Sequence, residues 1–334
     1  MNYNIRHFSA YFVFLFMFLG FKAHAQELEP VYIVPNNPLI TKIIELKDFN
    51  TTISLSPESN ALPLGQTMLA ANGQLIIKNG KDIYILIQQT GFTYKLTNYD
   101  SATCEYTRLD HTINLNYNIN CKPFFYQNQL YSFGGYGFWK NNGHLRKFSF
   151  EDSEWDIMPV SKEIFATQLS WFDAEKGRLY VPFQRTINAG LEGPENIKGV
   201  PDYASYYLDL KTRKWEKVGD LEKTAREVMV SESTSDAILN YNNGVLNLVH
   251  DGAYLFDFRN NKIYRSKNAD FNQFLIRRAD FTNMFIYNGF IYSYNVNTKT
   301  FNLYPFKPSD FELLKSNIWG SSTQLYKILL IISI

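Results

Sequence analysis

Hydrophobic residues along the chain recur in short alternating runs that are separated by polar turns. The clearest example is the segment 122–158, whose runs are PFFY, QLYSFGG, HLRKFSF and EWDIM. Runs of this length with turn residues between them are typical of β-strands joined by tight connections. The segment is therefore predicted to form one four-stranded antiparallel meander.

Parts of this segment recur elsewhere with a constant internal spacing. In residues 148–155, FSFEDSEW, an aromatic residue is followed seven positions later by a second one, with a polar turn between them. A hairpin with its flanking apolar residues on one face has this pattern. Four further copies are 99–106, 208–215, 256–263 and 294–301, and a weaker one is 46–53.

A second hairpin precedes most of these copies. The copies of this second pattern are 75–87, 123–133, 170–181, 238–249 and 285–294, and several carry Asn-Gly at the turn. Two hairpins in each period make a four-stranded blade, and a period of about 50 residues with β character is typical of a propeller. Six copies predict an all-β propeller of about six four-stranded blades over residues 26–310. The first blade (31–55) and the last (285–306) are each a strand short, so we expect them to share one sheet and close the ring.

On these residues the chain resembles the kelch-repeat family, which includes the central propeller of galactose-oxidase-like proteins. The family pattern is a glycine pair that ends the second strand, an aromatic residue on the third strand and a tryptophan on the fourth. The pair at 134–135 with Phe148 and Trp155 matches it in one repeat, and Leu208 with Trp215 matches its second half in the next. The other repeats depart from the pattern at the glycine pair or at the tryptophan. The resemblance implies the fold, and because the copper ligands of galactose oxidase have no counterpart here, it does not imply that activity.

Both ends of the chain carry apolar segments outside the repeats. Residues 1–25 combine Arg6, an apolar run and the small-residue ending AHA, and they are predicted to be a cleaved signal peptide. We therefore expect an exported protein, periplasmic or extracellular. Residues 311–334 are predicted to be a short tail with helical character that ends in YKILLIISI. Two alternatives are open for this tail: the beginning of a truncated transmembrane helix, or an element packed on the propeller.

The two cysteines, Cys104 and Cys121, would meet an oxidising compartment after export. One alternative is a disulfide that joins two neighbouring blades, which the chain-entropy model values at about 3 kcal/mol. The other alternative is two separate buried thiols.

Charge and motif content exclude several functions. Removal of the signal peptide takes the 33 basic residues to 31 against 32 acidic ones, a net charge of −1, which does not suit a nucleic-acid-binding protein. His111, His144 and His250 lack the spacing of metal ligands, so no metal and no cofactor are expected. The sequence has no GxSxG and no phosphate-binding loop.

The predicted strand order places the long connections on one face of the propeller. Long loops on a rigid scaffold often carry the binding residues. Aromatic and basic residues of these loops are the candidate ligand-binding set, with the alternative that they only pack on their own blades or stay solvated. The candidates are Tyr136, Phe138, Trp139, Arg185, Arg226 and Arg278.

Two functional hypotheses follow. The first is a monomeric, non-catalytic recognition module that binds a protein or a glycan on the long-loop face, with membrane anchoring through the C-terminal tail as one version of it. The second is a propeller enzyme that acts on an acidic sugar, similar to the kelch-type sialic acid mutarotases. This enzyme would need Arg185, Arg226 and either Arg277 or Arg278 to meet in one pocket at the central channel.

Overall fold

The alternating apolar runs form antiparallel strands that assemble into the blades of a β-propeller. The computed structural model describes these parts of the chain: 31–47, 52–55, 74–88, 91–110, 119, 121–137, 140–165, 169–185, 201–229, 237–249, 252–267, 283–295 and 297–321.

The first blade contains the N-terminal segment and has six strands. They lie in the order β1-β6-β5-β4-β3-β2, so a meander of β3 to β6 gains one strand on each edge. Helix α1 (Pro38–Glu45) connects β1 with β2 and begins after Asn37, whose side chain accepts the Leu39 N–H at 2.9 Å. The strands are β1 (Val31–Pro35), β2 (Thr52–Leu55), β3 (Gln74–Asn79), β4 (Asp82–Ile87), β5 (Thr93–Tyr99) and β6 (Thr103–Arg108).

The second blade is the predicted meander, and the structure confirms it. The blade has the order β12-β11-β8-β7, and a separate two-stranded ribbon, β9 with β10, lies in the connection between β8 and β11. Its strands are β7 (Lys122–Tyr126), β8 (Gln129–Phe133), β9 (Tyr136–Gly137), β10 (Lys140–Asn141), β11 (Leu145–Ser149) and β12 (Glu154–Met158).

The third blade is a meander of β13, β14, β17 and β18, with the ribbon β15 and β16 in its central connection. Helix α2 (Lys223–Met229) follows it. The strands are β13 (Trp171–Asp173), β14 (Arg178–Val181), β15 (Gln184–Arg185), β16 (Pro201–Asp202), β17 (Ala204–Asp209) and β18 (Lys214–Leu221).

The fourth blade is a meander of β19 to β22, and the fifth has three strands in the described part of the chain, β23 to β25. The strands are β19 (Ala237–Tyr241), β20 (Gly244–Val249), β21 (Gly252–Asp257), β22 (Lys262–Ser266), β23 (Asn283–Tyr287), β24 (Phe290–Asn295) and β25 (Thr300–Pro305).

The last described residues return to two earlier blades. A 3-10 helix (Pro308–Asp310) leads into β26 (Phe311–Leu313), which pairs with β22 of the fourth blade. Strand β27 (Trp319–Ser321) then pairs with β18 of the third blade. The predicted helical character of the tail is therefore wrong over residues 311–321, and the remaining tail lies outside the described residues. No helix in the described ranges is long and apolar enough to cross a membrane.

The described residues form five blades, so the prediction of about six is wrong. The weak copy at 46–53 caused the error, because Leu46 lies just beyond the end of α1 and Thr52 begins β2, which adds to the first blade. The ends also do not share one sheet. The ring is closed by packing: Phe285, Tyr292 and Tyr294 of the fifth blade lie in the same hydrophobic cluster as α1 and the first blade.

Four of the seven-residue copies place their two apolar residues directly opposite each other on neighbouring strands, as Phe148 and Trp155 show. The copy 99–106 differs. Its register shifts between Leu96 and Asn98, so Tyr106 lies opposite Leu96 and not opposite Tyr99. The same spacing in sequence therefore occurs in hairpins of two different registers.

In the five copies other than 46–53, the second position has a role that the apolar spacing did not indicate. Its side-chain oxygen accepts a hydrogen bond from the backbone N–H three residues later and so stabilises the turn between the third and fourth strands of the blade. These bonds are Asp100 with Thr103 (2.7 Å), Ser149 with Asp152 (3.2 Å), Asp209 with Thr212 (2.9 Å), Asp257 with Asn260 (2.9 Å) and Asn295 with Thr298 (3.1 Å).

Apolar residues from facing blades fill the space between them. Phe148 and Trp155 of the second blade pack with Leu75 and Leu86 of the first, and the Trp155 indole N–H donates to Thr93 Oγ1 at 3.0 Å. The recurrence of an aromatic residue in the repeat is therefore explained by packing between blades.

Candidate functional site

Strands from all five blades surround a central cavity of about 1460 Å³: β2 and β3 of the first blade and the first strand of each of the other four. The cavity reaches the turns that join the first and second strands of the blades, where Asn79, Asn128, Glu175, Asn242 and Asn288 line it. It continues along these strands to Lys122 and Ser170, which contribute to the same wall. The cavity therefore belongs to the centre of the ring and to the face that carries the short turns.

Amide side chains dominate the polar part of the cavity wall. Four of the five turns contribute them, and only the third blade has Ala174 and Glu175 at this place. Amides donate and accept hydrogen bonds without carrying charge, which suits a ligand with many hydroxyl groups. The amide residues are Asn79, Gln127, Asn128, Asn240, Asn242, Asn243 and Asn288.

Tyrosine rings lie beside these amides. Tyr126, Tyr241 and Tyr287 line the cavity, and the Tyr287 hydroxyl donates to the Lys47 carbonyl oxygen at 2.8 Å. The Tyr241 hydroxyl oxygen is buried and has no hydrogen-bond partner among the described residues. Burial raises the pKa of Tyr241, with the Asp257 charge as a second cause, so this hydroxyl remains a neutral donor.

Two of the basic residues on the cavity wall form hydrogen bonds or ion pairs with other parts of the protein. Lys78 is 3% exposed, and its Nζ donates to the carbonyl oxygens of Ile43 at 2.7 Å, of Ile44 at 3.3 Å and of Leu46. It thus fastens the C-terminal end of α1 to β3. Arg259 forms a bidentate pair with Asp173, at 2.6 and 3.0 Å, and also contacts Glu175 at 2.8 Å.

Lys122 differs from these two residues. It begins β7, lines the cavity and is half-buried, and no hydrogen bond or ion pair joins its side chain to another described residue. Removal of the ammonium group from water lowers the pKa of Lys122 to about 8, and the neighbouring Cys121 opposes the shift. A lysine that is desolvated and lacks a counter-charge costs folding free energy while it is protonated.

Replacement of Lys122 by methionine is expected to stabilise the protein at pH 7 by about 1–2 kcal/mol, because the desolvated charge is removed. The folded-state pKa lies below the unfolded one, so the penalty is complete below pH 8 and disappears between pH 8 and pH 10.5. Urea unfolding at pH 7 and pH 10 measures the difference. Lys78→Met is the matched control: it should destabilise the protein by about 2 kcal/mol, since the carbonyls of Ile43, Ile44 and Leu46 at the end of α1 lose their donor. Equal destabilisation by both variants would contradict this interpretation of Lys122.

The predicted ligand-binding residues do not meet at this cavity in the described part of the chain. Tyr136 is half-buried in the β9 and β10 ribbon, where its backbone bonds with Ile119 at 2.8 and 3.0 Å. Arg226 is exposed on α2, with its Nε bonded to the Leu221 carbonyl at 2.7 Å and its guanidinium 4.5 Å from the Tyr203 ring centre. Phe138, Trp139, Arg277, Arg278 and the side chain of Arg185 lie outside the described residues.

The glycine pair of the second blade shapes the connection that carries Tyr136. Gly134 and Gly135 have φ values of 65° and 114°, which favour glycine. Arg146, only 4% exposed, donates to the Gly134 carbonyl at 3.3 Å and to Asn142 Oδ1 at 3.3 Å. Its Nε has no partner among the described residues. The glycine pair thus has a structural role where the connection between β8 and β11 begins.

Both cysteines are buried in the structure. Cys104 and Cys121 are both buried free thiols, and they lie in two different hydrophobic clusters. Burial raises the pKa of both thiols.

Sequence reasoning missed the cavity because it treated the turn asparagines only as turn formers. Asn128 and Asn288 do adopt positive φ, at 60° and 47°. In a ring, however, the turns that follow the innermost strands also surround the axis, so their side chains meet around one cavity. Lys122, a basic residue that begins an innermost strand, is the signal that was available in the sequence.

Comparison with known proteins adds little to this picture. No family model and no curated protein matches the sequence. Among solved structures, that of YjhT is similar, with a TM-score of 0.46 and 14% sequence identity over 74% of this chain and 82% of that one. The kelch resemblance remains a prediction from the sequence.

Proposed function

We propose that the protein is a non-catalytic recognition module whose central cavity binds a glycan. The observation that supports this proposal is the set of amide side chains that four of the five blades present on one cavity wall, beside Tyr126, Tyr241 and Tyr287. Planar amides match pairs of sugar hydroxyl groups, and aromatic rings cover the apolar faces of sugar rings. The proposal keeps the predicted type of function and moves the site from the long-loop face to the ring centre.

The acidic-sugar enzyme has less support. It needs arginines that converge at the central channel, and Arg226 is not among the residues that line the cavity. The Arg226 guanidinium instead lies over the Tyr203 ring.

A glycan array followed by calorimetry on the best ligand tests the proposal. Asn242 is exposed on the cavity wall and has no positive φ, so Asn242→Ala should leave the fold intact. Loss of its hydrogen bonds should weaken binding about tenfold. Asn302→Ala is the matched control, because Asn302 is exposed on β25 away from the cavity, and its affinity should equal that of the wild type.

The same array also separates the two faces. Binding that survives Asn242→Ala but disappears on Trp139→Ala would place the ligand on the long-loop face and reject the cavity as the site. A protein that binds no glycan on the array would reject the proposed ligand class.

A further inference from the structure

Among the described residues, one basic side chain on the cavity wall is partly buried and forms no hydrogen bond or ion pair. Of the charged residues that line the cavity, Lys47 is exposed, Lys78 holds the end of α1, and Arg259 is bound to Asp173 and Glu175. Lys122 is left with its side chain on the cavity wall and without an ionic partner among the described residues.

The surroundings of Lys122 are poor in compensating charge. Pro123 and Phe124 follow it on β7, and Phe133 lies opposite it on β8. Cys121 precedes it as a buried, neutral thiol. The only carboxylate on the described cavity wall is that of Glu175, which is bound to Arg259. The remaining titratable side chains on this wall are Lys47, Lys78, Tyr126, Tyr241 and Tyr287.

An amine in such a place is a nucleophile. Lysines that are desolvated and have no counter-ion carry a larger neutral fraction at pH 7 and attack carbonyl groups. The lowered pKa of Lys122, about 8, gives about one neutral amine in ten at pH 7, against fewer than one in a thousand for an ordinary lysine. The cavity of about 1460 Å³ admits a small molecule to this amine.

We propose that the Lys122 side chain is a reactive amine that condenses with aldehyde-bearing small molecules in the central cavity. The Nζ lone pair attacks the carbonyl carbon and forms a C–N bond, and the carbonyl oxygen takes a proton from the nitrogen. The resulting carbinolamine loses this oxygen as water together with the second nitrogen proton, which leaves an imine. No oxidant or reductant is needed, and open-chain sugars and other short hydroxyaldehydes are the expected class of ligand.

Reductive trapping tests this reactivity on the full-length protein. Glycolaldehyde is the probe, cyanoborohydride reduces the imine to a stable secondary amine, and peptide mass spectrometry measures the rate at each lysine. At pH 7 we expect Lys122 to be modified at least about tenfold faster than Lys211, which is exposed in a turn of the third blade. The Lys122→Arg variant should lose the fast modification at position 122, whereas the rates at the other lysines should stay the same.

The pH profile gives a readout that accessibility alone would not produce. Labelling by trinitrobenzenesulfonate, which reacts with neutral amines and needs no reductant, should level off above pH 8 at Lys122. A rate at Lys122 that is no faster than at Lys211 at pH 7, or that keeps rising steeply to pH 10, overturns the proposal. Fast labelling of Lys122 together with a negative glycan array would reject the proposed glycan ligand and support the reactive amine. Slow labelling together with a positive array would support the glycan ligand and reject the reactive amine.

Discussion

Replacement of Asp173 by alanine is expected to lower the free energy of unfolding by about 3 kcal/mol. The Asp173 side chain is fully buried and bound to Arg259 through both oxygens, so the variant leaves the mostly buried guanidinium with only the exposed carboxylate of Glu175 as an ionic partner. The same carboxylate also accepts the N–H groups of Glu175 and Lys176, at 3.1 and 3.3 Å. Because Asp173 belongs to the third blade and Arg259 to the fourth, the loss weakens the contact between two blades. Urea unfolding at pH 7 measures it.

Two acidic residues serve as controls for Asp173→Ala. Asp220 pairs with Lys217 at 3.0 Å, but both side chains are about half exposed, so Asp220→Ala should cost less than about 0.5 kcal/mol. Glu175→Ala removes the exposed partner of Arg259 and should cost equally little. If Asp173→Ala also changed stability by less than about 1 kcal/mol, the pair would not hold the two blades together.

Replacement of Gly244 by alanine is the second large expected effect, about 3 kcal/mol. Gly244 begins β20, where a Cβ would overlap the Phe256 carbonyl oxygen and lie 3.1 Å from the Phe258 ring. Neither obstacle can move freely, because the carbonyl belongs to β21 of the same blade and the Phe258 ring is buried against Trp171 and Trp319. The expected consequence is local separation of β20 from β21, seen as faster amide exchange in the fourth blade.

Gly80 is the matched control for Gly244→Ala. It follows Asn79 in the corresponding turn of the first blade and adopts a φ of 58°, but a Cβ there would meet nothing within 4 Å. Gly80→Ala should therefore cost about 1 kcal/mol, because an alanine is strained at this positive φ but meets no neighbouring atom. Equal losses at both glycines would show that the close approach at Gly244 is relieved by small movements.

The sequence predicted the blades well where turn chemistry and apolar spacing agree. Around Phe148 and Trp155 both signals are present, and the strands have the predicted order and register. The prediction failed at 46–53, because a helix end followed by a strand produced the same spacing by chance. It also failed at 311–321, since short edge strands such as β26 depend on a distant partner, β22, and carry little local signal.

The candidate site was less predictable than the fold. Aromatic residues such as Trp139 attract attention in a sequence, whereas an asparagine in a turn has a sufficient local explanation. The central cavity depends on how the inner strands of all five blades are arranged around one axis, and no single repeat contains that information. Lys122 illustrates this limit: its lack of a partner becomes visible only when the whole cavity wall is known.

The pairing of β27 with β18 has a consequence for how the chain folds during synthesis. Gly219 lies opposite Ser321, so this edge of the third blade is separated by about 100 residues from the strand that covers it. Until that strand leaves the ribosome, the outer edge of β18 has free backbone groups that another chain can pair with. The edges of the third and fourth blades therefore stay uncovered until residues 311–321 have been synthesised.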